Sequence, residues 1–145
     1  MAIYLKTEEE ISLMRAANRL VGSTLGELAK IIKPGVSTGE LNRVAEEFIR
    51  DHGAEPTFLG FPNPNGPAFP ASICCSVNEC VVHGIPSDEQ ILKDGDIVSV
   101  DCGTLLNGYN GDSAYTFPVG EISEEVRELL RTTRESLYLG IEQAV

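Results

Sequence analysis

The sequence predicts an α+β fold in which helices flank an antiparallel sheet. Three observations predict it. Capping boxes at Thr7–Glu10 and Ser37–Glu40 open two amphipathic stretches, and a third such stretch follows Ser123. Short β-branched runs fill the region between the second and third stretches. Within that region an Asn-Gly pair at 107–108 separates two strand-like arms, the strongest short hairpin signal.

The first helix is expected over residues 8–32, with Ile11, Met14, Leu20, Val21, Leu25, Leu28 and Ile32 as its apolar stripe. Lys33-Pro34-Gly35 stops it. In the second helix Leu41, Val44, Ala45, Phe48 and Ile49 recur at i, i+3, i+4, i+7 and i+8, and Gly53 closes it. Strands are expected at residues 71–77 and 80–83, and again where the turn Asp94-Gly95-Asp96 leads into Ile97–Asp101. The third helix places Val126, Leu129, Leu130, Thr133, Leu137 and Ile141 on one face. The segment Pro56–Pro70 fits neither element. It holds five prolines and three phenylalanines, and no charge occurs from Pro56 to Asn78. A disordered linker would be polar and poor in aromatics, so this segment reads as an ordered loop with an apolar task.

Composition narrows the function. The 145 residues fit one domain, and a net charge of −11 without a basic cluster argues against a nucleic-acid partner. The start has no secretory pattern and no apolar run is long enough to cross a bilayer, so a cytoplasmic protein without a membrane partner is expected. Cys74, Cys75, Cys80 and Cys102 lack CxxC spacing and lie in apolar surroundings, which favours buried thiols over disulfides or a zinc site.

The hairpin raises the functional question, because each arm carries an acid. If Asn107-Gly108 forms a two-residue type I′ turn, 106 pairs with 109, 103 with 112, and 101 with 114. Asp101 and Asp112 then share one face as a diagonal pair, with Gly103 opposite Asp112. That face also carries Ser99, Asn110, Ala114 and Thr116, whereas Val98, Val100, Cys102, Tyr109, Tyr115 and Phe117 form the core face. Two close carboxylates repel unless a cation lies between them, and such oxygen donors suit divalent ions about 4 Å apart. The alternative is an edge hairpin whose acids project into solvent. A three-residue turn with a bulge would also separate the faces, unless a second bulge, at Gly111, restored them. His52, in the last turn of a helix, reads as a dipole-compatible terminal residue. His83 stands where a strand breaks into Gly84-Ile85-Pro86.

The runs CVVHGIP, LKDGDIVSVDCG and NGYNGDSAYTF, in this order and spacing, resemble the type I methionine aminopeptidases of the pita-bread metallopeptidase fold. Proline-directed aminopeptidases and prolidases share the aspartate hairpin but usually add an N-terminal domain. The resemblance implies that Asp101 chelates metal, that Asp112 bridges two metals, and that His83 hydrogen-bonds substrate near the scissile amide. It places Cys74, Phe69, Phe61 and Phe58 in the methionine pocket, with an insertion around Asn63–Ala68 blurring which phenylalanines line it. It implies two divalent ions (Co, Mn, Fe or Zn) in the intact family enzyme, the N-terminus of a nascent polypeptide as substrate, and ribosome association. The family's remaining histidine and two glutamate ligands come from its second half. The run SLYLGIEQAV matches the helix ahead of the family's midpoint, so residues 1–145 are expected to form a single domain resembling an N-terminal half. Metal-dependent removal of N-terminal methionine is the implied activity of the intact enzyme, and this chain alone is expected to bind metal weakly or not at all. A non-catalytic binding module and a homodimeric structural protein are the alternatives.

Overall fold

The computed structural model describes residues 4–64 and 66–144. Helix α1 spans Glu8–Ala29 and opens with both halves of its capping box. The Glu10 amide donates to Thr7 Oγ1 at 3.2 Å, and the Thr7 amide donates to Glu10 Oε2 at 2.8 Å. Glu8, Glu9 and Glu10 in its first turn suit the positive end of the helix dipole. The helix ends three residues before the expected Ile32. The Lys30 and Ile31 amides bond three residues back, to Glu27 and Leu28, which tightens the last turn. Helix α2 spans Thr38–Asp51, and its N-cap Ser37 accepts from the Glu40 amide at 3.0 Å. Gly53, at φ +72°, ends α2 in a Schellman motif, its amide bonding Arg50 and the Ala54 amide bonding Ile49. The His52 ring, as the terminal position suggested, bonds the Phe48 carbonyl at 2.7 Å and lies 4.2 Å from the Phe48 ring.

The sheet comprises β1 (Glu55–Pro56), β2 (Ile73–Val77), β3 (Ile97–Leu106) and β4 (Tyr109–Pro118), all pairing antiparallel. β4 pairs along the whole of β3. On the other edge of β3, β2 meets residues 98–102 and β1 meets residues 104–105. β4 is therefore an edge strand among the described residues. Helices α1 and α2 pack on one core with the sheet, centred on Val21, Leu28, Leu41, Ile49, Ile73, Val98, Val100 and Cys102. Helix α3 (Glu124–Glu142) starts at its expected cap, Ser123, yet contains no buried residue.

Two expectations are corrected. Residues 80–83 form a loop instead of a strand. Asn78 takes φ +51° and the Cys80 amide bonds the Val77 carbonyl at 3.1 Å, so the chain turns as soon as β2 ends. Val81 and Val82 are left exposed, against their β propensity. Tyr115, assigned to the core face, is half exposed, and its ring rests 4.8 Å from that of Phe117.

Candidate functional site

The hairpin has the register that a two-residue turn demands. Asn107 and Gly108 take φ +52° and +81°, the paired positive values of a type I′ turn. Leu106 pairs with Tyr109, Gly103 with Asp112 and Asp101 with Ala114, without a bulge. Asp101 and Asp112 therefore lie on one face, where Ser99 and Thr116 also share a 2.8 Å hydrogen bond. The two acids are anchored differently. Asp101 sits mid-sheet between Ala114 of β4 and Cys74 of β2, whereas Asp112 is on the edge strand.

This face floors a cavity of about 860 Å³. Asp101, Asp112, His83, Cys74, Phe58, Phe61 and Phe69 all line it, so every site residue expected from the sequence is brought to one place. The Pro/Phe loop forms its wall. Gly60 donates to the Phe69 carbonyl at 2.8 Å and Phe69 donates to the Phe61 carbonyl at 2.9 Å, which pinches the loop at its neck. Phe58 and Phe69 are half-buried below the neck, and Phe61 is exposed at the mouth. Thr57 donates to the Gly103 carbonyl at 3.1 Å, and a side chain at 103 would overlap Thr57 and Phe58. The space opposite Asp112 is thus filled by the start of the loop.

Burial raises the Asp101 carboxyl above the ordinary aspartate value, and the Asp112 charge adds to this. A bond from the Cys102 amide and the nearby His83 pull it partly back. Burial, with the two aspartate charges behind it, pushes the Cys74 thiol up to about 11. Cys74 is therefore a neutral, polarisable wall at neutral pH rather than a nucleophile. His83 takes φ +59°, a left-handed conformation uncommon for a residue with a side chain. Its neighbour enforces this. The Gly84 amide donates to Ser76 Oγ at 3.1 Å, its carbonyl accepts from the Cys75 amide at 2.9 Å, and a Cβ there would overlap the Cys75 carbonyl. The His-Gly pair thus folds back along β2 and sets His83 beside the acids.

The sequence reading missed several residues. Pro62, Pro64, Pro67 and Ile85 also line the cavity. Their signal was present, since the prolines fall in the charge-free loop and Ile85 follows His83-Gly84. The Asn42 side chain accepts from the Ser72 and Ile73 amides at 2.8 and 3.3 Å, and Glu46 accepts from Ser72 Oγ at 2.9 Å. These bonds tie the exit of the loop to α2. No local pattern in the sequence announces them.

A model described as metallopeptidase family M24 matches residues 12–145. The chain belongs to that family. It is 52% identical to a methionine aminopeptidase of Clostridium acetobutylicum over 99% of its own length and 55% of the relative's. It is 54% identical to methionine aminopeptidase 1 of Bacillus subtilis over 98% of its length and 55% of the relative's. The crystal structure of the methionine aminopeptidase from Rickettsia prowazekii superposes with a TM-score of 0.87 at 38% identity, over 94% of this chain and 53% of that one. The M24 chain spans about half the length of the curated relatives it matches. Its fold is that of the family's pita-bread members, with the antiparallel sheet and helices described above.

Membership of M24 implies dependence on divalent metal. The hard carboxylate oxygens of Asp101 and Asp112, converging on one face beside a cavity, suit such ions. Among the described residues no group of three or more His, Cys, Asp and Glu side chains gathers as a metal site. Among the described residues no helix is long and apolar enough to cross a membrane.

Proposed function

We propose that this chain supplies two metal ligands and the side-chain pocket of an enzyme that removes methionine from the N-termini of new polypeptides. The observation that carries the reading is the meeting of Asp101, Asp112 and His83 with a charge-free aromatic loop around one cavity. In this reading Asp101 and Asp112 would both hold divalent metal, leaving further ligands to a complementary segment like the rest of the relatives' length. Bound divalent metal would supply Lewis acidity and a water of lowered pKa. His83 donates a hydrogen bond to the amide group at the scissile bond, where charge develops as the carbonyl is attacked. Phe58, Phe69 and Cys74 receive the thioether side chain, and Phe61 closes the mouth. Four free cysteines, three of them buried, suit a reducing compartment such as the cytoplasm.

The test is complementation. The chain alone should release no measurable methionine from a Met-Ala-Ser peptide. Mixed with the C-terminal half of a close homologue and Co²⁺ or Mn²⁺, it should recover activity. Asp112→Asn should abolish the recovery, since an amide offers one oxygen where a carboxylate offers two. Recovery that persisted in Asp112→Asn would overturn the ligand assignment and favour a non-catalytic binding module. The bare apolar face of α3, and an edge of β4 that no strand covers among the described residues, support a further element of the reading. Without a complementary segment, the chain self-associates as a two-fold dimer.

A further inference from the structure

Asp112 lies on an edge strand, where an outward backbone amide has no neighbouring strand to hold it. With Leu106 and Tyr109 closing a two-residue hairpin, hydrogen-bonded and non-bonded pairs alternate away from the turn. The Gly103–Asp112 pair falls among the non-bonded ones, so the Asp112 amide points away from β3. Helix α1 meets it there. The Asp112 amide donates to Asn18 Oδ1 at 3.3 Å, and the same side chain donates through Nδ2 to the Met14 carbonyl at 2.9 Å. The second bond fixes which end of the Asn18 amide faces the strand.

Two dry contacts hold the helix close enough for this. A Cβ at Gly111 would lie 2.5 Å from the Ala17 carbonyl carbon, so only glycine permits the approach. Directly across the hairpin from Gly111, buried Thr104 donates through Oγ1 to the Ala17 carbonyl at 3.2 Å. Near the turn, Tyr109 Oη donates to Glu10 Oε1 at 3.2 Å. Glu10, Ala17 and Asn18 recur at i, i+7 and i+8, along the flank of α1 that meets β4.

We propose that Asn18 is a positioning residue, holding the backbone of Asp112 so that its carboxylate stays aimed at the metal site. The claim rests on the reading of Asp112 as a metal ligand. Asp101 needs no such device, because strands hold it on both sides.

Amide exchange measured by NMR on the whole 145-residue chain tests the backbone part. Asn18→Ala should speed exchange of the Asp112 amide about fivefold, the equivalent of one ordinary hydrogen bond. The Asp101 amide and the urea midpoint should stay as they are. Asn18→Asp keeps an acceptor oxygen at the same reach but cannot donate to the Met14 carbonyl, so it should restore slow exchange in part. The second readout uses Mn²⁺ alone. Paramagnetic broadening of Asp112 resonances should require several times more Mn²⁺ in Asn18→Ala than in the parent chain. Unaltered Asp112 exchange in Asn18→Ala would overturn the proposal, as would equal acceleration of all hairpin amides with a lowered urea midpoint. Faster exchange with an unaltered Mn²⁺ response would overturn it too, since the bond would then hold the backbone without serving the carboxylate. Asp112→Asn separates the two claims: full broadening in that variant defeats the ligand reading, while the exchange result still decides whether Asn18 holds the strand.

Discussion

Helices α2 and α3 begin alike and end in opposite surroundings. Each follows a serine N-cap, carries glutamate in its first turn and repeats apolar residues along one side. In α2, Leu41, Ala45 and Ile49 are fully buried against β1, β2 and α1. In α3, Leu129, Leu137 and Ile141 are each more than half exposed, at 58%, 61% and 57%. The difference teaches that periodicity reports an apolar face and leaves its cover unstated. Residues distant in sequence supply that cover. Thr38 at the start of α2 is bonded by Ser87 and Gln90, and Arg43 pairs with Asp88 at 2.7 Å. No comparable clasp reaches α3 among the described residues.

The largest expected effect tests this contrast directly. Leu41→Ala or Ile49→Ala should cost about 2–5 kcal/mol of unfolding free energy, because each opens a cavity in a packed core. Leu137→Ala should cost within about 0.5 kcal/mol in dilute solution, since most of its surface is exposed there. Urea denaturation at low micromolar concentration would measure both. Self-association sharpens the comparison. Light scattering at high concentration should show a dimer, and a double substitution, Leu137→Glu with Ile141→Glu, should return it to monomer. A clean monomer at all concentrations would leave α3 uncovered and remove the dimer from the reading.

Much of the molecule was legible because the signals that formed it are local. The type I′ turn, the period-two faces of the hairpin and the N-caps depend on residues within a few positions of one another. These were enough to place Asp101 and Asp112 together. What the sequence hid depends on contacts across the fold. Gly111 could be read only as a place for a bulge, yet β4 passes through it in regular register and its missing side chain admits the backbone of α1. Val81 and Val82 suggested a strand, but the turn at Asn78 and the Gly84–Cys75 bond dictate a loop. Nothing near Asn18 in the sequence marks it for a role at the hairpin. Its partner on the strand, Asp112, is 94 positions away.

Glycines extend the comparison at a middle scale. Gly111→Ala should destabilise by roughly 1–3 kcal/mol, since neither the helix nor the strand backbone can yield the space a methyl needs. Gly140 on α3 and Gly22 and Gly26 on α1 face open space, and none of the three has positive φ. Alanine at each should stabilise by up to about 1 kcal/mol through helix propensity. Thermal unfolding of the four variants gives the order. A neutral Gly111→Ala would mean that α1 does not approach β4 as closely as the contact with Ala17 requires.

The smallest effect is electrostatic, and again sets α2 against α3. Glu46 on α2 is held below the ordinary glutamate value, chiefly by its bond from buried Ser72 and then by Arg50. Glu128 on α3 is also held low, by exposed Arg131. A carboxyl depressed in the folded state stabilises the protein above its unfolded pKa and loses that contribution as pH falls through the folded value. The exposed pair on α3 is screened by solvent and holds nothing else in place. Glu46 ties the exit of the Pro/Phe loop to α2 through Ser72, so protonating it weakens a bond that also shapes the cavity. Urea melts of the parent chain between pH 7 and pH 3 should show stability falling with acid. Glu46→Gln should flatten that fall, and Glu128→Gln should leave it nearly as steep as in the parent. Equal flattening in both variants would show that burial of the partner makes no difference, and that the two helices are electrostatically alike despite their unequal cover.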